Sequence, residues 1–117
     1  MIRGLHHVAI DVDDLPAAIA FYRDALGLAI LEDRPASLGD NGVWFDLGVG
    51  QLHLVQVDGH RGPPSQHLAL QVDDTHAEVA RLRAAGCEVS DPFDIGAGVQ
   101  AFLRDPAGNL VELNQPT

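Results

Sequence analysis

One stretch occurs twice in this chain. Residues 7–14, His7-Val8-Ala9-Ile10-Asp11-Val12-Asp13-Asp14, return as His67-Leu68-Ala69-Leu70-Gln71-Val72-Asp73-Asp74, with five of the eight positions identical. The period is sixty residues in a chain of 117. Self-similarity at a fixed period means that one structural unit was built twice, and every later assignment has to respect it.

The unit can be read from its first copy. Val8, Ile10 and Val12 alternate with His7, Ala9 and Asp11, the signature of a half-buried strand. Asp13 and Asp14 can cap a helix that Pro16 opens, Ile19, Phe21, Tyr22 and Leu26 recur at helical spacing, and Gly27 stops it. Strands are expected over 28–33, 43–47 and 51–57, with a turn-rich loop at 34–42 and a hairpin at Gly48-Val49-Gly50. The order is β-α-β-β-β. The second copy repeats it, with a strand at 67–72, a helix through Val79, Leu82 and Ala85 to Gly86, and a short strand near 87–90. A loop containing Pro92 follows, then strands at 99–104 and 110–115. The expected architecture is α+β, two tandem βαβββ modules in a single domain of residues 1–117. Module 1 covers about 1–57, a linker rich in Gly and Pro covers 58–65, and module 2 covers about 66–117.

Strand parity then singles out four side chains. His53 stands between Leu52 and Leu54, and Glu112 between Val111 and Leu113. The repeat aligns His7 with His67 and His53 with Glu112. Each half therefore offers one ligand-type residue on its first strand and one on its last, pointing away from the helix. Three imidazoles and a carboxylate suit one divalent metal ion: zinc, nickel, cobalt, manganese or iron. Taken singly, a histidine on a strand is usually a structural residue. Four at repeat-equivalent positions point to a shared role.

Charge narrows the partners. Seven basic and seventeen acidic residues give a net charge of −10, which repels nucleic acid and anionic membrane surfaces and disfavours a polyanionic substrate. No run of apolar residues is long enough for a membrane helix, so a cytoplasmic location is expected. The single cysteine, Cys87, excludes an intrachain disulfide and fits a small buried residue.

Three segments resemble the vicinal oxygen chelate superfamily, which includes glyoxalase I, extradiol dioxygenases, fosfomycin-resistance enzymes and bleomycin-binding proteins. They are Leu5-His6-His7-Val8-Ala9-Ile10 with the helix end Phe21–Leu28, then Gln66–Val72, then Phe102–Leu113, the most specific. The resemblance spans essentially the whole chain. It implies that His7, His53, His67 and Glu112 bind the metal and that a substrate chelates it through two adjacent oxygens. The metal then acts as a Lewis acid that stabilises an enediolate or another oxyanion. It also implies a homodimer.

The departures matter as much. Glyoxalase I carries glutamate where His53 stands, and its bacterial form holds glutathione with an arginine and an asparagine where this chain has Asp11 and Val57. Fosfomycin thiol-transferases carry threonine where Ala9 stands, and extradiol dioxygenases usually occupy a longer chain. The leading expectation is a small metal-dependent lyase or isomerase acting on a compact substrate. The alternative is a drug- or metabolite-binding protein, and a dioxygenase comes third. Glu112 is the candidate base as well as a ligand, and Ala9, Asp11, Trp44 and Ala69 are candidate pocket residues. His6 is expected to face away from His7 as a structural residue. Arg104, Asp105 and Asn109 are assigned to a turn.

Overall fold

The computed structural model describes all residues from Met1 to Thr117. The chain divides into two compact units, Met1–Arg61 and Gly62–Thr117, each carrying one four-stranded mixed sheet.

In the first unit, β1 (His7–Val12) leads into α1 (Leu15–Ile19), whose winding continues as a π-helical segment over Ala20–Ala25. β2 (Ala29–Ile30), β3 (Gly42–Asp46) and β4 (Gln51–Gln56) complete it, in the order β1-β4-β3-β2. β1 lies parallel to β4, as a helical crossover requires, while β3 and β4 form an antiparallel hairpin. Val8 and Ile10 pair with Leu52 and Leu54, which pair in turn with Phe45 and Val43. These residues share one face because side chains alternate across a strand, and the helix covers that face with Leu15, Ala18 and Tyr22.

The second unit repeats the plan. β5 (His67–Gln71), α2 (Thr75–Ala84), β6 (Phe93–Asp94), β7 (Gly98–Arg104) and β8 (Leu110–Pro116) form a sheet in the order β5-β8-β7-β6. Val79 and Leu82 of α2 are buried together with Ala101, Leu103, Val111 and Leu113. The Asp-Pro-Ala-Gly-Asn turn closes β7 onto β8: Asp105 Oδ1 accepts the Ala107 and Asn109 N–H groups, and Asn109 Nδ2 donates to Asp105 Oδ2. Gly62 rests on this turn, its N–H donating to the Ala107 carbonyl at 2.9 Å. A Cβ at Gly62 would lie 2.0 Å from the Gly108 carbonyl oxygen, so only glycine fits.

The helix starts are built alike. Asp14 Oδ1 accepts the Ala17 N–H and Asp74 Oδ1 accepts the Ala77 N–H, as N-caps do. Gln56 Oε1 accepts the Leu15 N–H and Gln115 Oε1 accepts the Thr75 N–H, each at 3.0 Å.

Four expectations need correction. The second strand is limited to Ala29–Ile30. In place of a strand over 87–90 there is one isolated bridge, Val89 to Leu103. The sixth strand forms instead at Phe93–Asp94, inside the stretch read as a loop. Pro92 immediately precedes it and breaks no ladder hydrogen bond there. The first helix changes winding at Ala20, with the Leu26 N–H reaching the Phe21 carbonyl, a bond five residues long that a 3.6-residue periodicity does not announce.

Candidate metal and substrate site

Strand register brings the predicted residues into two pairs, one in each unit. In the first unit, His53 sits in register between Ala9 on β1 and Trp44 on β3. Leu52 and Leu54 turn into the core, so His53 turns to the opposite face. There its ring stacks on His7 at 4.0 Å between centroids and on Trp44 at 4.2 Å, with interplanar angles of 13° and 7°. The result is a pile of three rings, His7–His53–Trp44. Phe45, the other aromatic of β3, is fully buried in the core. The small Ala9 side chain beside His53 leaves the imidazoles room to lie face to face. Asp11, two residues further along β1, is in register with Val55 and exposed.

Hydrogen bonding fixes the tautomer of His53. His53 Nε2 lies 2.8 Å from Gln51 Oε1, an acceptor, so Nε2 carries the proton and Nδ1 the lone pair. Burial, and then the neighbouring charges of His7, His6 and Arg34, hold the His53 pKa below the usual histidine value. His6 differs from expectation. Its Nδ1 lies 2.8 Å from His7 Nδ1 and its ring meets His7 edge-on. His6 precedes β1, so strand alternation does not send it to the other face.

In the second unit, Glu112 sits in register between Ala69 on β5 and Phe102 on β7, the arrangement of His53 between Ala9 and Trp44. His67 Nε2 is 3.2 Å from Glu112 Oε1, with the His67 side chain 38% exposed and the carboxylate 6%. His67 Nδ1 donates to the Ser65 carbonyl at 2.9 Å, leaving Nε2 with the lone pair of the neutral ring. Two acceptors then face one another across 3.2 Å. Such a pair calls for a cation between or beside them, a proton or a metal ion. A histidine tied through its second nitrogen to a backbone carbonyl is also how metal-binding imidazoles are commonly oriented. An imidazole and a carboxylate are donor types that a divalent ion accepts. Neither unit by itself gathers three His, Cys, Asp or Glu groups into a metal-binding cluster.

Residues that sequence reasoning missed lie beside these pairs. Phe102 meets His67 edge-on at 5.7 Å and stacks on Phe93 at 6.3 Å. Asn114 Nδ2 donates to Glu112 Oε2 at 2.7 Å. Both carry a signal: Phe102 is the register partner of Glu112 as Trp44 is of His53, and Asn114, two residues beyond Glu112, must share its face.

The family model of the Glyoxalase/Bleomycin resistance protein/Dioxygenase superfamily matches residues 4–113. The chain belongs to this superfamily. Among its relatives, the ethylmalonyl-CoA/methylmalonyl-CoA epimerase of Cereibacter sphaeroides is 34% identical, over 98% of this chain and 99% of the relative. The lactoylglutathione lyase of Haemophilus influenzae is 31% identical, over 91% and 87%. A solved structure of TnmS3, an antibiotic-binding protein from Streptomyces sp. CB03234, is 33% identical, covers 99% of this chain and 98% of that one, and superposes with a TM-score of 0.81. Enzymes and a binding protein thus share one glyoxalase fold of two tandem modules.

Most of the arginines are engaged. Arg23, Arg61, Arg81 and Arg83 pair with Asp24, Asp13, Glu78 and Asp91. Arg104 donates to the carbonyls of Pro63, Pro64 and Gly108. Arg34 donates to the Gly39 carbonyl at 2.6 Å, while its Nε is buried with no partner. No helix is long and apolar enough to cross a membrane.

Proposed function

We propose that this chain is a divalent-metal-dependent lyase or isomerase of the glyoxalase type, with His7, His53, His67 and Glu112 as the ligand set. The observation that carries the reading is the register equivalence of the two pairs: a ligand-type side chain between an alanine and an aromatic residue in each unit. When bound, the metal would supply Lewis acidity to a substrate that chelates it through two adjacent oxygens. The chain's own residues do the rest. The His7–His53–Trp44 pile offers a flat surface against which a substrate can be oriented. Glu112, when its carboxylate is not engaged by the metal, would be the base that takes a proton from substrate carbon.

The substrate is proposed to be compact and weakly charged. A net charge of −10 and the pairing or carbonyl binding of six of the seven arginines argue against a CoA or glutathione thioester, although relatives are named for both. The assembly is proposed to be a homodimer.

A second reading, a small-molecule binding protein, is favoured by the ring pile and by the likeness to an antibiotic-binding protein. Metal analysis by mass spectrometry on untagged protein, beside the double variant His67→Ala/Glu112→Ala, separates the two. Near-stoichiometric metal that disappears in the variant is the expected result. A parent that takes up no divalent ion, even when offered each in turn, would sink the catalytic reading and leave the binding one.

A further inference from the structure

We infer that Asn114 is a positioning residue that holds Glu112 so that a single carboxylate oxygen, Oε1, faces the metal; the inference rests on the reading of the site given above. Asn114 Nδ2 donates to Glu112 Oε2 at 2.7 Å, while Oε1 points to His67 Nε2 at 3.2 Å. The two oxygens are therefore differentiated, one fixed by an amide and one turned toward the imidazole. Because Glu112 is buried, the amide bond is not in free exchange with solvent, and a charge-assisted hydrogen bond of this kind is stronger than one between neutral groups.

The backbone explains why an asparagine at this place can do this. Glu112 and Asn114 are two residues apart on β8, so their side chains leave the same face of the sheet. Asn114 is itself in register between Gln71 on β5 and Gln100 on β7. The row beside Ala69–Glu112–Phe102 is thus made of three amides, and only the central one bonds the carboxylate. An amide donates without adding charge, so Asn114 fixes the carboxylate while leaving its negative charge available to a cation. The corresponding row of the first unit is Asp11–Val55–Gly42, with no such donor. There the task of orientation falls to Gln51, whose Oε1 lies against His53 Nε2. Each pair has its own amide guide, placed on opposite sides of the ligand along the strand.

The test is metal binding by the whole protein, with Co(II) as probe, by calorimetry and by its visible absorption, which follows coordination number. Asn114→Leu removes the donor at nearly constant volume and is expected to weaken Co(II) binding about 10- to 100-fold. Its absorption should change as the freed carboxylate becomes bidentate. Asn114→Gln should recover part of the affinity, and Gln71→Leu, in the same row but without a bond to Glu112, should bind as the parent does. Thermal melts of the metal-free proteins check that Asn114→Leu folds. If it does not fold, the Asn114→Gln and Asn114→Ser variants carry the comparison, with Ser expected to lose affinity because its shorter side chain cannot reach. Unchanged affinity and spectrum in the folded donor-less variant would overturn the inference alone. Failure of the parent to bind Co(II) would overturn the metal reading together with it.

Discussion

The two units of this chain share the register of three strands, β1-β4-β3 and β5-β8-β7, and fill it differently. The first unit centres its core on rings: Tyr22 and Phe45 are both fully buried, with centroids 6.0 Å apart. The second, at the repeat-equivalent positions, has Leu82 in place of Tyr22 and an aliphatic core. The ligand faces diverge in the same manner. One carries stacked imidazoles under an indole, and the other an imidazole facing a carboxylate with a phenyl ring edge-on. What the duplication kept is the backbone register and the helix caps. What it released is the chemistry of the side chains on both faces of each sheet.

The core substitutions separate the units most strongly. Tyr22→Ala removes a whole ring from a packed site and should destabilise the protein by about 3–5 kcal/mol, whereas Leu82→Ala at the equivalent site should fall within about 2–5 kcal/mol and below it. Urea unfolding at constant slope measures both. A smaller loss at Tyr22 than at Leu82 would mean that the first core is not centred on the ring.

Much of this was legible in the sequence, and the reasons are physical. The repeat, the alternation of Val8, Ile10 and Val12, and the capping aspartates are local signals, and the strands and helix starts they announce are present. Strand parity alone puts His53 and Glu112 on the faces away from the helices. Features set by packing were not legible. The π-helical segment carries the buried Tyr22 and has no signal of its own in a 3.6-residue periodicity, and β6 depends on pairing with Val99 and Gln100 rather than on its own two residues. Phe102 is a neighbour of Glu112 only through cross-strand register, whereas Asn114 shares its face by parity along β8. His6 departs from its expected orientation because β1 begins at His7 and alternation does not reach one residue beyond it.

The glutamine contacts at the helix starts offer a finer comparison. Gln56→Leu leaves the partly buried Leu15 N–H without its acceptor and should lower stability by about 1–2 kcal/mol. Gln115→Leu does the same to Thr75, but there the hydroxyl of Thr75 still donates to the Val99 carbonyl at 2.9 Å and keeps the helix start attached to the sheet. Hydrogen exchange at the Leu15 amide should therefore accelerate more in Gln56→Leu than exchange at the Thr75 amide does in Gln115→Leu. Equal acceleration would show that the threonine hydroxyl adds nothing.

The smallest effects are expected where the helices end. Gly27 and Gly86 both adopt the left-handed conformation, with φ of 80° and 91°, and an added Cβ would meet nothing within 4 Å at either. Alanine there carries only the torsional strain of positive φ, about 1–2 kcal/mol at each position. The two sites nevertheless follow different helix ends. After the π-helical segment, the Leu26 and Leu28 N–H groups bond to the Phe21 and Tyr22 carbonyls, whereas the Gly86 and Cys87 N–H groups bond to Arg83 and Leu82. If strain at positive φ decides the matter, Gly27→Ala and Gly86→Ala will shift the urea midpoint by similar amounts. A markedly larger loss at Gly27 would show instead that the wide turn tolerates no adjustment at its exit, and that the winding of the first helix is fixed from its C-terminal end.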